Sequence, residues 1–243
     1  MRTAICVVLL CAPVSANDAI TRLLDTKGNV SRRADACFEL RGDKSPAAVA
    51  AMRKVLEVDS LRTCAGRNLR EAGALTELKD ALAGENPDVR ALAARELGTF
   101  GRPEMLDALS KAARDPNVMV ATSALQGLAE YQIPAVVPYL VDLARAGGMV
   151  GAMALRRAAQ FKDPAVLPVA RQLLGSGDAT GRLDAIRVLA DLGDSSDVAA
   201  LRKIAENSEQ LSMTGRGFGM MPGVDLSKAA AGAVESIRSR DVR

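Results

Sequence analysis

The chain has 243 residues, with 32 Lys and Arg against 29 Asp and Glu, a formal net charge of +3, no His and 2% aromatic residues. A near-neutral chain with so few rings lacks the basic, stacking-rich surface that nucleic acid requires, so no nucleic-acid partner is expected. Missing His removes the commonest general base and the commonest metal ligand together. No spacing of acids, Ser or Cys supplies a substitute, so the expectation is no catalysis, no cofactor and no metal.

Residues 1–16 read as a signal peptide: Arg2 gives a positive start, Ala4 to Leu10 an apolar run, and Pro13 to Ala16 a small-residue cleavage site. Cleavage after Ala16 removes one Arg and no acid, taking the charge from +3 to +2, and implies a periplasmic or secreted protein. Cys11 leaves lipidation open as a lesser alternative, because Leu10 stands where a lipobox wants a small residue. No later stretch approaches the 18 or so uncharged apolar residues of a membrane span.

From residue 28 onward one template recurs. Around Val89, the residues 4, 8 and 11 positions later are Ala93, Leu97 and Phe100, which share one helical face. Asp88 is placed to cap the start and Gly101 to end the helix in a left-handed turn. In chain order the anchors are Val30, Leu61, Val89, Val120, Val150, Gly181 and Leu226, spaced 31, 28, 31, 30, 31 and 45 residues apart. Each is followed four residues on by alanine: Ala34, Ala65, Ala93, Ala124, Ala154, Ala185 and Ala230. In the first copy Val30, Ala34 and Phe38 match, and Arg41 does not.

A second apolar stripe follows each of the first six copies with a constant 3-then-4 spacing, from Val49, Met52 and Leu56 to Val198, Leu201 and Ala205. Pro46, Pro103, Pro134 and Pro164 fall at the entries of these second helices, and Pro138 and Pro168 mark entry turns rather than kinks. A two-helix unit of about thirty residues cannot cover its own apolar stripe, and stacking solves this. The expected fold is therefore all-α, a right-handed α-solenoid of about seven two-helix repeats, with residues 17–243 forming one domain.

Cys37 and Cys64 lie on the same flank of two neighbouring first helices. In an exported protein they are a disulfide candidate; two separate buried thiols remain the alternative. Arg62, Arg90 and Arg182 each follow an anchor, with Asp59, Asp88 and Asp178 before the same helices. They read as a structural Arg–Asp ladder rather than as chemistry.

The pattern Asp-x-x-Val-Arg-x-x-Ala-Ala-x-x-Leu-Gly, carried best within Pro87 to Gly98, resembles the short HEAT-like repeats of phycobilisome-lyase-like proteins. The resemblance covers most of residues 28–240. It implies a binding scaffold whose second helices line a concave side. Polar residues there lean basic late in the chain, at Arg171, Arg202 and Lys203, which suits a protein partner with an acidic stripe; a solvated face is the alternative. Residues 207–225 are an irregular loop between the last two copies, with Arg216, Phe218, Met220 and Met221 as partner-binding candidates. A spacer, an anion cradle at Gly215 to Gly219, and soft-metal binding by the Met residues are the other readings. The sequence thus points to a protein-interaction scaffold. An enzyme-associated or prosthetic-group-holding module, and a polysaccharide- or anionic-surface-binding envelope protein, stand as alternatives.

Overall fold

In the computed structural model, residues 16–175, 179–207, 210–211 and 224–241 are described. The proposed signal peptide, Cys11, Asp178 and the loop candidates Arg216, Phe218, Met220 and Met221 lie outside them. The first helices of the repeats are α2 (Val30–Glu39), α4 (Asp59–Ala72), α6 (Pro87–Thr99), α8 (Val118–Ala129), α10 (Gly148–Ala159), α12 (Ala179–Leu192) and α14 (Leu226–Asp241). Between them run α3 (Pro46–Val55), α5 (Leu75–Leu82), α7 (Leu106–Ala112), α9 (Val137–Arg145), α11 (Leu167–Leu174) and α13 (Val198–Ala205), and α1 (Ala16–Leu24) precedes them all. Two antiparallel two-residue strands, β1 (Gln210–Leu211) and β2 (Val224–Asp225), bracket the insertion before α14.

The chain divides into two compact units, one ending at Leu97 and the other beginning at Gly98. In the first, α1 packs on α2 and α3, α2 lies against α4, and α4 contacts α3 and α5. In the second, α9 packs on α10, α11 on α12, and α14 against both α12 and α13, while α8, α10 and α12 line up as successive neighbours. Each unit is thus an array of stacked helical hairpins, as an α-solenoid requires. The apolar template accounts for it: Ala65, Ala93, Ala124, Ala154, Ala185 and Ala230 are all buried, and so are Leu69, Leu97, Leu128 and Leu189 four residues further on. The second helices contribute Leu78, Leu109, Leu140 and Leu201, each fully buried and each worth roughly 1.5–3 kcal/mol of apolar burial.

Helix ends follow the local chemistry. Asn29, Ser45 and Asn117 cap α2, α3 and α8 through their side chains. Pro46 opens α3, and Pro103, Pro134 and Pro164 each open a single 3-10 turn that leads into α7, α9 and α11. At α6 the capping expectation needs correcting. Asn86 Oδ1 accepts the Asp88 N–H at 3.0 Å, because Asp88 already lies inside the helix, and its carboxylate instead meets Arg62.

The first copy also departs from the template. Phe38 is 66% exposed and Val30 51%, while Ala36, Cys37 and Leu40 are buried. The register there is shifted by two residues, so that Ala36 and not Ala34 is the close-packed alanine. Val30 and Phe38 are left on a face that no earlier first helix covers. Helix α1 was not anticipated. It buries Ala19 and Leu23 and packs on α2 and α3, the role a second helix plays elsewhere.

Candidate binding site

The Arg–Asp ladder is present in the first unit and does more than pair charges. Arg62 donates to Asp59 of its own helix, to Asp88 of the next repeat at 3.2 Å, and through Nε to the Leu56 carbonyl at 3.0 Å. Arg90 donates from Nη1 to the Gly84 and Glu85 carbonyls at 3.0 and 2.6 Å, and Arg33 from Nε to Leu23 at 2.9 Å. Each guanidinium therefore closes the C-terminal end of the preceding second helix, where carbonyls lack intrahelical partners. Further ties between successive repeats are Arg41 to Glu71 (2.9 and 3.0 Å) and Arg70 to Glu96 (2.9 Å). The sequence showed the acids but not the carbonyls.

The structure places the Sγ atoms of Cys37 and Cys64 2.17 Å apart and their Cα atoms 6.4 Å apart. The Asn68 side chain, 4% exposed, donates to the Cys37 carbonyl at 2.6 Å, so this junction of α2 and α4 carries a satisfied buried polar group.

The three basic candidates in the described chain fall on α11 and α13. Arg171 is committed: its Nε and Nη2 grip Asp197 at 2.8 and 3.1 Å, and Nη2 also reaches Asp194 at 3.2 Å. Asp194 and Asp197 in turn form a capping box before α13. The Asp194 carboxyl is held below its usual range, first by hydrogen bonds from Ser196 and then by Arg171. The guanidinium of Arg171 is correspondingly raised, chiefly by its hydrogen bonds to Asp197. Arg202 and Lys203 are exposed on α13 and have no ion-pair partner among the described residues.

Between α11, α13 and the start of α12 opens a cavity of about 410 Å³, lined by Arg171, Arg182, Lys203, Leu174, Ala200 and Ile204 among others. Two expected residues, Arg171 and Lys203, thus share one cleft, and Arg202 sits beside it in sequence. Arg182, expected in the ladder, lines this cleft as well, and the apolar floor is not among the sequence-based expectations. The periodicity of Leu174 and Ala200 with their helix neighbours could have signalled it. Such a cleft can hold an apolar side chain while cations meet a carboxylate at its rim.

Among the described residues, no group of three or more His, Cys, Asp or Glu side chains is placed to hold a metal ion, and no helix is long and apolar enough to cross a membrane. The sequence profile of the family described as HEAT repeats matches residues 75–148. Human deoxyhypusine hydroxylase is 34% identical over 139 residues, which are 51% of this chain and 46% of that protein. The match therefore spans about half the length of this relative.

Among solved structures, an engineered protein superposes with a TM-score of 0.50 at 19% identity, covering 92% of this chain and 68% of the other. The complex of CpcE and CpcF of phycocyanin lyase from Nostoc sp. gives 0.43 at 20% identity, with coverage of 98% and 100%. The expectation of a chain without catalysis is corrected by the first of these likenesses, since the relative is an enzyme. That expectation rested on missing His and missing motifs, which is a statement about known chemistries and not about what a repeat surface supports. The sequence pattern, the stacked hairpins and the profile match over residues 75–148 together support a HEAT-like repeat protein.

Proposed function

We propose that this chain is a protein-interaction scaffold that takes an acidic segment of a partner protein onto the α11–α13 face. The observation that carries the reading is the pairing of an apolar-floored cleft with two cations, Arg202 and Lys203, that no described carboxylate neutralises. Surface cations left unspent beside a concave apolar floor supply both steering and an anchor for a complementary segment. The setting proposed is the periplasm or the exterior, reached through the leader at residues 1–16, where Cys37 and Cys64 would be oxidised.

The test is a crosslinked pull-down from the periplasm with three forms: the intact protein, the Arg202→Glu/Lys203→Glu double variant, and a deletion of residues 209–224. The reading expects one stoichiometric partner, recovered less at higher salt and lost with the double charge reversal while circular dichroism is unchanged. Undiminished recovery with the double variant would remove the α13 face from consideration, and loss only with the deletion would transfer the site to the loop.

The likeness to deoxyhypusine hydroxylase favours a second reading, in which the repeats carry or serve an enzymatic activity. Incubating the purified chain with a deoxyhypusine-bearing substrate and finding no product heavier by one oxygen would end the specific form of that idea.

A further inference from the structure

Four copies of the template carry glycine twelve residues after the anchor: Gly42, Gly73, Gly101 and Gly193. At three of these the backbone is left-handed, with φ of 77°, 78° and 63°. The α10 copy makes the same left-handed turn but carries Lys162 there, at φ 53°, the one non-glycine residue with positive φ among those described. A lysine in this conformation is strained, and strain of this kind persists where something else requires the side chain.

The same cleft holds a second departure. Three residues after the anchor five copies have Cys64, Leu92, Ser123, Met153 and Ala229 and the first has Arg33, but the α12 copy has a carboxylate, Asp184, which is 1% exposed. On either side of it stand Arg156 and Arg187, which occupy one template position in consecutive repeats. Their Nη1 atoms lie 3.7 and 3.5 Å from the Asp184 carboxylate. Neither guanidinium has another acceptor among the described residues, and each side chain is half exposed, at 50% and 58%.

Lys162, Arg156, Asp184 and Arg187, with Val188 and Leu192, line a cavity of about 460 Å³ between α10 and α12. Its three cations face two carboxylates, Asp184 and the exposed Asp191. Asp184 is a positioning residue here: a single buried carboxylate lies within ion-pair distance of two guanidiniums and leaves most of their donors unspent. The volume lies within the range of small-molecule pockets.

We propose that this cleft binds a small organic oxyanion, a carboxylate or phosphate head on a short apolar body. Arg156 and Arg187 would take the head, Lys162 would close over it, and Val188 and Leu192 would meet the body. Two breaks with the repeat pattern fall in one cavity, which is how a working site shows itself against a regular scaffold. The proposal is independent of the α11–α13 partner face, since it uses none of that face's residues.

The experiment titrates the full chain with hexanoate, hexyl phosphate and hexanol by calorimetry and by NMR of the arginine side chains. Saturable binding of one or both anions, absent with hexanol and weakened about tenfold or more in Lys162→Gly, supports the site. The ratio of the two anions tells which head group it prefers. Lys162→Gly restores the residue the turn favours, so lost binding there does not come from unfolding. Arg202→Glu/Lys203→Glu serves as the control and leaves binding unchanged. No saturable binding of either anion, equal binding of hexanol, or full affinity in Lys162→Gly overturns the proposal.

Discussion

Replacing Lys162 by glycine is expected to make the protein more stable. A residue with a Cβ in the left-handed region places that atom against the following carbonyl, at a cost of roughly 1–2 kcal/mol. Glycine removes the clash but gives the unfolded chain more freedom, which offsets about 0.5–1 kcal/mol. The net expectation is a gain of about 0.5–1 kcal/mol, or about 1–4 °C in Tm for a chain of this size. Gly101→Ala is the mirror experiment. Gly101 sits at φ 63°, and nothing lies within 4 Å of where its Cβ would be, so the substitution changes backbone energy without any new contact. It should destabilise by about 1 kcal/mol. Urea unfolding followed by circular dichroism reads both, as shifts of the midpoint in opposite directions at constant slope. A midpoint that falls in Lys162→Gly would refute the reasoning, because it would mean the lysine stabilises the fold and needs no functional explanation.

Other expectations follow from single contacts. A Cβ on Gly98 would lie 2.3 Å from the Gly127 Cα, backbone against backbone, so Gly98→Ala should cost about 1–3 kcal/mol by overpacking, read as a lower urea midpoint. Replacing both Cys37 and Cys64 by Ser removes a link across 27 residues and should lower stability by roughly 3–4 kcal/mol on the chain-entropy model. The wild type under reducing conditions should then match the double variant. Hydrogen bonds from Arg41 hold the Glu71 carboxyl below its ordinary value of 4.5. Its folded value therefore lies under its unfolded one, and the pair's contribution is present above about pH 4.5 and lost as pH falls through the folded value. Glu71→Gln should flatten that part of the acid limb in a thermal-melt series, and an unchanged limb would count against the pair.

How much of this was readable in advance depended on whether a residue obeyed the period. Ala65, Ala93 and Leu97 were legible because stacking makes the same demand in every copy, and only small or apolar side chains meet it. The first copy misled for the converse reason. Val30 and Phe38 are apolar and correctly spaced, but they are exposed among the described residues, and Ala36 with Leu40 carries the packing. Helix α1 was hidden because Asn17, Asp18, Thr21 and Arg22 dilute its apolar stripe to little more than Ala19 and Leu23.

Charge was harder to read than packing. Arg62 could be matched to Asp88 by spacing, but its bond to the Leu56 carbonyl depends on where the preceding helix ends, which periodicity does not state. Arg156 and Arg187 carry no signal of their own in the sequence, because an arginine recurs at that position in other copies, as Arg67 and Arg95. What distinguishes the α10–α12 cleft is not its arginines but the residues that break the pattern beside them. Lys162 stands where glycine belongs and Asp184 where an apolar or small residue belongs. A repeat array makes such breaks informative, since four of the other copies carry glycine at the Lys162 position and five carry an apolar or small residue at the Asp184 position.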